Sequence, residues 1–116
     1  MEKDQSKIIR EQAPRSATRD HSVPLYLTSS FIFDSAEQGR AIFAEEEEGM
    51  VYSRYANPNT TEFINKVCIM ENAEAGLAFA SGMAAVFASF AGFIRNGEHI
   101  VSSRAIFGST HQLFTQ

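Results

Sequence analysis

Hydrophobic positions are densest between residues 75 and 97, and they change period partway through. Residues 75–80 form a short, largely apolar run that suits a buried strand, although its alanines also permit a helix. Beyond Ser81-Gly82, the residues Met83, Val86, Phe87, Phe90, Ala91 and Ile94 recur at the three- and four-residue spacing of one helical face. Ala84, Ala85, Ala88 and Phe93 make the opposite face apolar as well, which predicts a helix covered on more than one side. Asn96-Gly97 is its expected end, because glycine readily takes the left-handed conformation of a helix C-terminus.

Upstream, residues 1–20 are polar and carry both signs of charge, so they are expected to form a mobile tail or an arm that orders only against a partner. Residues 23–33 read as extended: Pro24 opposes a helix, and Leu25, Leu27, Phe31 and Phe33 alternate with other residues. Asp34, with Glu37 three residues on, predicts a capping box that opens a helix through Ala36, Gly39, Arg40 and Phe43. Glu45 to Glu48 then read as a solvated face or loop that Gly49 stops. Asn59, with Glu62, is expected to cap a further helix whose buried stripe is Phe63, Ile64, Val67 and Met70. After Gly97, residues 99–101 read as a second strand and residues 107–110 as a glycine-bearing turn. Strand, helix and strand in that order predict a right-handed parallel unit, with both turns opening on one sheet edge.

Two stretches carry candidate chemistry. A strand that turns through Ser81-Gly82 into a helix aims free backbone N–H groups and the positive end of the helix dipole at one point. Gly82 lets an anion approach closely, while Ser81 either caps the helix or adds a hydroxyl donor. A plain cap is the commoner meaning of this pattern. In the second stretch, Arg54 stands between Tyr52 and Tyr55 before the turn pair Asn57-Pro58. A guanidinium there suits a phosphate or carboxylate, or it simply stacks on an aromatic ring at the surface. Phe107 is expected either to face the molecule at Gly82 or to pack as core.

Composition narrows the classes. The 116 residues carry a net charge of -4 with 44% hydrophobic residues, which fits a soluble chain of single-domain size. Scattered, outnumbered cations argue against nucleic acid. The helix after Gly82 is too short to span a bilayer, and the polar first residues show no secretory signal. Cys68, the single cysteine, fits a reducing compartment and reads as core packing rather than as a nucleophile.

Several motifs occur together and in order: Tyr52-Ser53-Arg54-Tyr55 with Asn57-Pro58, Ala80-Ser81-Gly82-Met83-Ala84-Ala85, Val101-Ser102-Ser103-Arg104 and Phe107-Gly108-Ser109-Thr110. In this they resemble the pyridoxal-phosphate (PLP)-dependent Cys/Met metabolism (trans-sulfuration) enzymes, most closely the O-succinylhomoserine sulfhydrylase branch. The resemblance runs from about residue 23 onward and includes the extended lead-in. It implies an α/β fold: the N-terminal part of a PLP-dependent transferase large domain (fold type I, aspartate-aminotransferase-like) preceded by an extended arm. Residues 1–60 would be the arm and a helix contacting a neighbouring subunit, and 61–116 the start of the PLP-binding domain.

The resemblance also implies roles. The positions of Ser81, Gly82 and Met83 hold the cofactor phosphate, Gly82 and Met83 through backbone amides. Tyr52 and Arg54 reach the phosphate of a neighbouring subunit, and Phe107 stacks over the pyridine ring. Many members have tyrosine at that last position, so Phe107 lacks a hydroxyl, as the sulfhydrylase-like branch does. Asn59 and Asn72 depart from a threonine and a glycine of the family pattern. The implied reaction is γ-replacement on O-succinyl- or O-acetylhomoserine with sulfide in methionine biosynthesis, by a cytoplasmic homo-oligomer built of catalytic dimers, as a tetramer. Its partner is a small amino-acid substrate, with no nucleic acid, membrane or metal. Lys3, Lys7 and Lys66 do not match the family's Schiff-base motif, so the chain is expected to be an inactive N-terminal piece with no catalytic residue of its own. Cystathionine γ-synthase, a γ-lyase, a non-catalytic association module and an unrelated phosphate-binding α/β domain stand as alternatives.

Overall fold

The computed structural model describes residues 2–115, and Met1 and Gln116, the two ends of the expected tail and site segment, lie outside them. The chain divides into two compact units, Met1–Gly76 and Leu77–Gln116.

The first unit holds three helices: α1 (Glu2–Arg10), α2 (Ala36–Phe43) and α3 (Pro58–Glu71). Helix α1 falls in the stretch expected to be a tail. Lys7 and Arg10 in its last turn suit the negative end of the helix dipole, and α1 lies against α3. Just beyond α1, the Glu11 carboxylate accepts a hydrogen bond from Asn65 Nδ2 at 3.0 Å, and the Ala13 N–H donates to Glu62 Oε2 at 3.2 Å. The polar segment therefore orders against polar groups of its own chain, and that is why a reading based on hydrophobic pattern missed it.

Helix α2 starts one residue later than expected. Ser35, not Asp34, is the N-cap: its hydroxyl accepts from the Gln38 N–H at 3.1 Å, and Gln38 Oε1 reaches back to the Asp34 N–H at 2.7 Å. Glu37 is thereby released to pair with Arg40 at 2.8 Å. The helix stops at Phe43, well before Gly49, because Glu45 takes a left-handed φ of 59°. Arg40 also forks onto Glu46 at 2.7 and 3.2 Å and Gln38 Nε2 donates to Glu47 at 3.3 Å, so the acidic run is exposed but tethered to α2 at two side chains. Phe33 at the end of the extended segment covers Gly39, where an added Cβ would come within 3.0 Å of its ring, and meets Phe43 edge-on at 6.1 Å.

Helix α3 likewise has a different cap. Asn57 is the N-cap and Pro58 takes the first helical position, where its missing N–H costs nothing. Asn59 is thus inside the helix. The expected stripe is only partly covered, since Phe63 and Met70 remain 60% and 57% exposed. Asn72 closes the helix at a left-handed φ of 52°, the conformation asparagine tolerates best after glycine. Cys68 is half-buried beneath Gly76, as packing predicts.

On α3, Glu62 forms an ion pair with Lys66 one turn along. The hydrogen bond from Lys66, followed by that from the Ala13 N–H, holds the Glu62 carboxyl below its ordinary pKa. A depressed carboxyl pKa stabilises the fold above the unfolded-state value and loses that contribution as pH falls through the folded value. Hydrogen-exchange protection of the Ala13 amide is accordingly expected to fall as the pH drops below about 4.3, with α3 itself less affected.

The second unit contains α4 (Gly82–Ala91) and α5 (Gly108–Thr115), in contact through Phe90 and Phe114, whose rings meet edge-on at 4.7 Å. Helix α4 ends at Ala91, short of the predicted Ile94. Gly97 does have a positive φ of 92°, but in the turn that follows, closed by a Glu98 N–H to Arg95 carbonyl bond of 3.1 Å. The two predicted strands, 75–80 and 99–101, carry no ladder among the described residues, so the parallel unit is not formed within this chain. A strand of a parallel sheet exists only through its neighbours' hydrogen bonds, and neither segment finds one here. Nor is any residue of α4 buried, against the expectation of a helix covered on several sides. Leu77, Phe93 and Val101 are more than 80% exposed, and no described hydrophobic residue in the chain reaches full burial. The apolar pattern of this segment is written for partners that residues 2–115 do not supply.

Candidate cofactor-phosphate site

In the second unit, the candidate residues gather at the start of α4. Ser81 is the N-cap, extended at φ -151° and ψ 156°, and its Oγ accepts from the Ala84 N–H at 3.2 Å while its carbonyl accepts from Ala85 at 3.1 Å. The choice left open for Ser81 is settled in favour of the cap as far as its Oγ is concerned. The N–H groups of Gly82 and Met83 have no acceptor among the described residues. Two donors and the positive end of a ten-residue helix therefore face one place. Around Gly82 the space is open: a Cβ built there would meet no atom within 4 Å. An anion as large as a phosphate monoester fits this geometry, since it needs convergent N–H donors and a backbone it can approach closely.

Phe107 stands immediately before α5, where its carbonyl accepts from the Thr110 and His111 N–H groups at 2.9 and 3.0 Å. The predicted glycine-bearing turn is thus the first turn of a helix. The Phe107 ring is 70% exposed, which removes the core-packing alternative within this chain.

In the first unit, Tyr52 and Arg54 are brought together by a tight turn. Its closing bonds run from the Tyr55 and Ala56 N–H groups to the Tyr52 carbonyl at 2.9 and 3.1 Å. The Arg54 guanidinium carbon lies 5.2 Å from the Tyr52 ring centre and 5.6 Å from that of Tyr55, and the two rings meet edge-on at 6.3 Å. Both rings hold the cation by its π faces. Among the described residues the guanidinium meets no carboxylate, so its fork of donors remains available to an anion. Stacking and anion binding, set against each other in the sequence, are compatible here.

Ser53, Asn57 and Asn59 also shape this turn, and the sequence singles out only Asn57 for it, as half of the turn pair with Pro58. The extended segment 24–31 pairs with it on one side, through an antiparallel Ser30–Tyr52 bridge, the Ser53 N–H to Ser29 carbonyl bond at 2.8 Å and the Phe31 N–H to Val51 carbonyl bond at 3.2 Å. Ser53 Oγ donates to the Thr28 carbonyl. Asn57, at 9% exposure, donates to the Tyr26 carbonyl at 3.0 Å and to Ser53 Oγ at 3.1 Å. Asn59 accepts from the Tyr26 N–H and donates to the Pro24 carbonyl, both at 2.8 Å. Pro58 was the available signal for Asn57, because proline favours the first helical position and so places the cap one residue earlier.

Lys66 is held by Glu62, and Lys3 and Lys7 belong to α1. No described group of three or more His, Cys, Asp or Glu side chains could hold a metal ion, and no described helix is long and apolar enough to cross a membrane.

Comparison with known proteins bears directly on this geometry. Over 106 residues the chain is 40% identical to O-succinylhomoserine sulfhydrylase of Pseudomonas aeruginosa, a match covering 91% of this chain and 26% of the relative. It is 45% identical over 92 residues to L-methionine gamma-lyase of Fusobacterium nucleatum, covering 79% of this chain and 23% of that protein. Among solved structures, an O-acetylhomoserine (thiol)-lyase assignment from Campylobacter jejuni superposes with a TM-score of 0.88 at 28% identity. That match covers 97% of this chain and 28% of the other, which carries a pyridoxyl-lysine monophosphate at its own position 205. The chain spans about a quarter of the length of these relatives, and the pyridoxyl-lysine of the Campylobacter jejuni structure has no counterpart in it. The fold is therefore that of the α/β PLP-dependent transferases of fold type I, even though its strands are unpaired here, and the cofactor of the group is PLP. The family model for Cys/Met metabolism PLP-dependent enzymes matches residues 5–116, and the chain belongs to that family.

Proposed function

We propose that this chain supplies the phosphate-holding and arm portions of a PLP-dependent sulfhydrylase, which acts by γ-replacement on O-succinyl- or O-acetylhomoserine with sulfide to give homocysteine. The observation that carries the reading is the open N-terminus of α4, where the Gly82 and Met83 amides stand free beside a Ser81 cap. Gly82 and Met83 donate to the cofactor phosphate, and Arg54 and Tyr52 reach the phosphate of a neighbouring subunit, so that residues 1–60 act as an arm across a catalytic dimer. Phe107 offers a flat apolar face to the cofactor ring and, lacking a hydroxyl, moves no proton itself. When bound, the cofactor supplies an electron sink that stabilises negative charge on the substrate's carbon chain. The oligomer is a tetramer of two such dimers, and its place is the cytoplasm.

Support for the sulfhydrylase comes from the relative in Pseudomonas aeruginosa, matched over 91% of this chain, and from Phe107 in a Phe-Gly-Ser-Thr context. The higher identity to an L-methionine gamma-lyase favours one second reading, elimination in place of replacement. An assay of the whole protein separates them. Supplied with O-succinylhomoserine and sulfide, a sulfhydrylase forms homocysteine, and it leaves methionine intact. Release of 2-oxobutyrate and methanethiol from methionine would establish the lyase instead. Absence of both products, with no PLP taken up, would overturn the proposal.

A further inference from the structure

The turn that presents Arg54 is fastened at both ends to the same stretch of chain. At its start, Tyr52 and Ser53 pair with Ser29, Ser30 and Thr28. At its end, Asn57 and Asn59 hold the Pro24–Tyr26 backbone through three side-chain bonds of 2.8 to 3.0 Å. Segment 24–31 therefore closes the turn like a strap, and the position of the Arg54 guanidinium between its two rings depends on where that strap lies. Within the strap Leu25 and Leu27 are 79% and 93% exposed, whereas Pro24, Tyr26 and Phe31 are half-buried. The directional part of its hold on the turn is made by hydrogen bonds.

The two asparagines differ in what else they do. Asn57 caps α3, accepting from the Asn59 N–H at 3.0 Å, so its removal would also damage the helix. Asn59 spends its side-chain oxygen and nitrogen wholly on the strap, one on an N–H and one on a carbonyl two residues away, as a neighbouring strand would. We propose that Asn59 is a positioning residue: its carboxamide clamps segment 24–31 and thereby fixes the Tyr52–Arg54 turn in its anion-binding arrangement. The consequence for the cofactor rests on the function proposed above, whereas the clamp itself rests on the geometry of this unit alone.

The test uses the whole protein and two variants. Asn59→Ala removes both bonds. Asn59→Asp keeps an acceptor for the Tyr26 N–H and has no donor for the Pro24 carbonyl, while an acid in the first turn favours α3 through its dipole. A helix-stabilising role for residue 59 and a clamping role therefore predict opposite results for Asp. The first readout needs no cofactor: the rate at which a dicarbonyl reagent modifies Arg54, mapped by peptide mass, in the PLP-free protein. The clamp predicts a rate increase of about threefold or more in both variants, with the melting temperature of Asn59→Asp unchanged or higher. The second readout is PLP affinity, expected to weaken roughly fivefold in Asn59→Ala and to show no further loss when that change is added to Arg54→Ala. An unchanged Arg54 modification rate in either variant overturns the clamp. So does an Asn59→Ala loss of affinity that is equally large with and without Arg54. Wild-type protein that takes up no PLP would instead sink the proposed function, and the Arg54 rates would still decide the clamp.

Discussion

Gly82→Val is expected to leave α4 folded and to weaken PLP binding by about two orders of magnitude. The first half follows from the open space at Gly82: an added side chain meets nothing within 4 Å, and the first turn of a helix accepts valine at small cost. The second half follows from the role proposed for that space. A branched side chain there holds an anion away from the Gly82 and Met83 N–H groups, and each hydrogen bond to a charged group contributes about 1.5–3 kcal/mol. Losing one to two of them lowers affinity by roughly 10- to 10,000-fold, with two orders of magnitude near the middle of that range. Gly82→Ala should fall between valine and wild type. Circular dichroism and a PLP titration of the whole protein check both halves. Pyridoxal without its phosphate serves as the control, because its weaker binding should hardly respond to either change.

Arg54→Ala is expected to cost about 10- to 100-fold in PLP affinity, and Arg54→Lys to restore little of it. Lysine keeps the charge but has neither the planar fork nor the stacking surface that Tyr52 and Tyr55 hold at 5.2 and 5.6 Å. Mixing variants tests whether the arginine serves its own subunit or its neighbour. In a hybrid of Arg54→Ala with Gly82→Val chains, action across the dimer leaves one site with an intact α4 terminus and an intact arginine. The hybrid should then bind PLP at about half of its sites with wild-type affinity. If Arg54 acts within its own chain, every site in the hybrid stays damaged and no tight binding returns.

How much of this was legible in the sequence depended on whether the signal was local. Ser81 and Gly82 could be placed because a cap and an open glycine are properties of a few adjacent residues. Asp34 and Asn59 were each placed wrongly as caps by one or two positions, since Ser35 and Asn57 serve equally well and the deciding neighbours, Gln38 and Pro58, were not weighed. Helix α1 was missed for a related reason. The segment is tied down just beyond the helix, where Glu11 and the Ala13 N–H bond polar groups on α3, and hydrophobic periodicity does not report such bonds. The strands at 75–80 and 99–101 show the opposite case: their apolar pattern is plain, but a sheet is a long-range object and no ladder partner exists among residues 2–115. The clamp made by Asn57 and Asn59 spans 31 to 35 residues, a separation that no motif displays.

We propose that the N-terminus of α4 grips a phosphate monoester. A crystal structure of the whole protein loaded with PLP tests it most directly. The claim predicts cofactor phosphate oxygens about 2.7–3.2 Å from the backbone nitrogens of both Gly82 and Met83. A bound cofactor whose phosphate lies elsewhere, with those two amides facing water or another part of the protein, would contradict it.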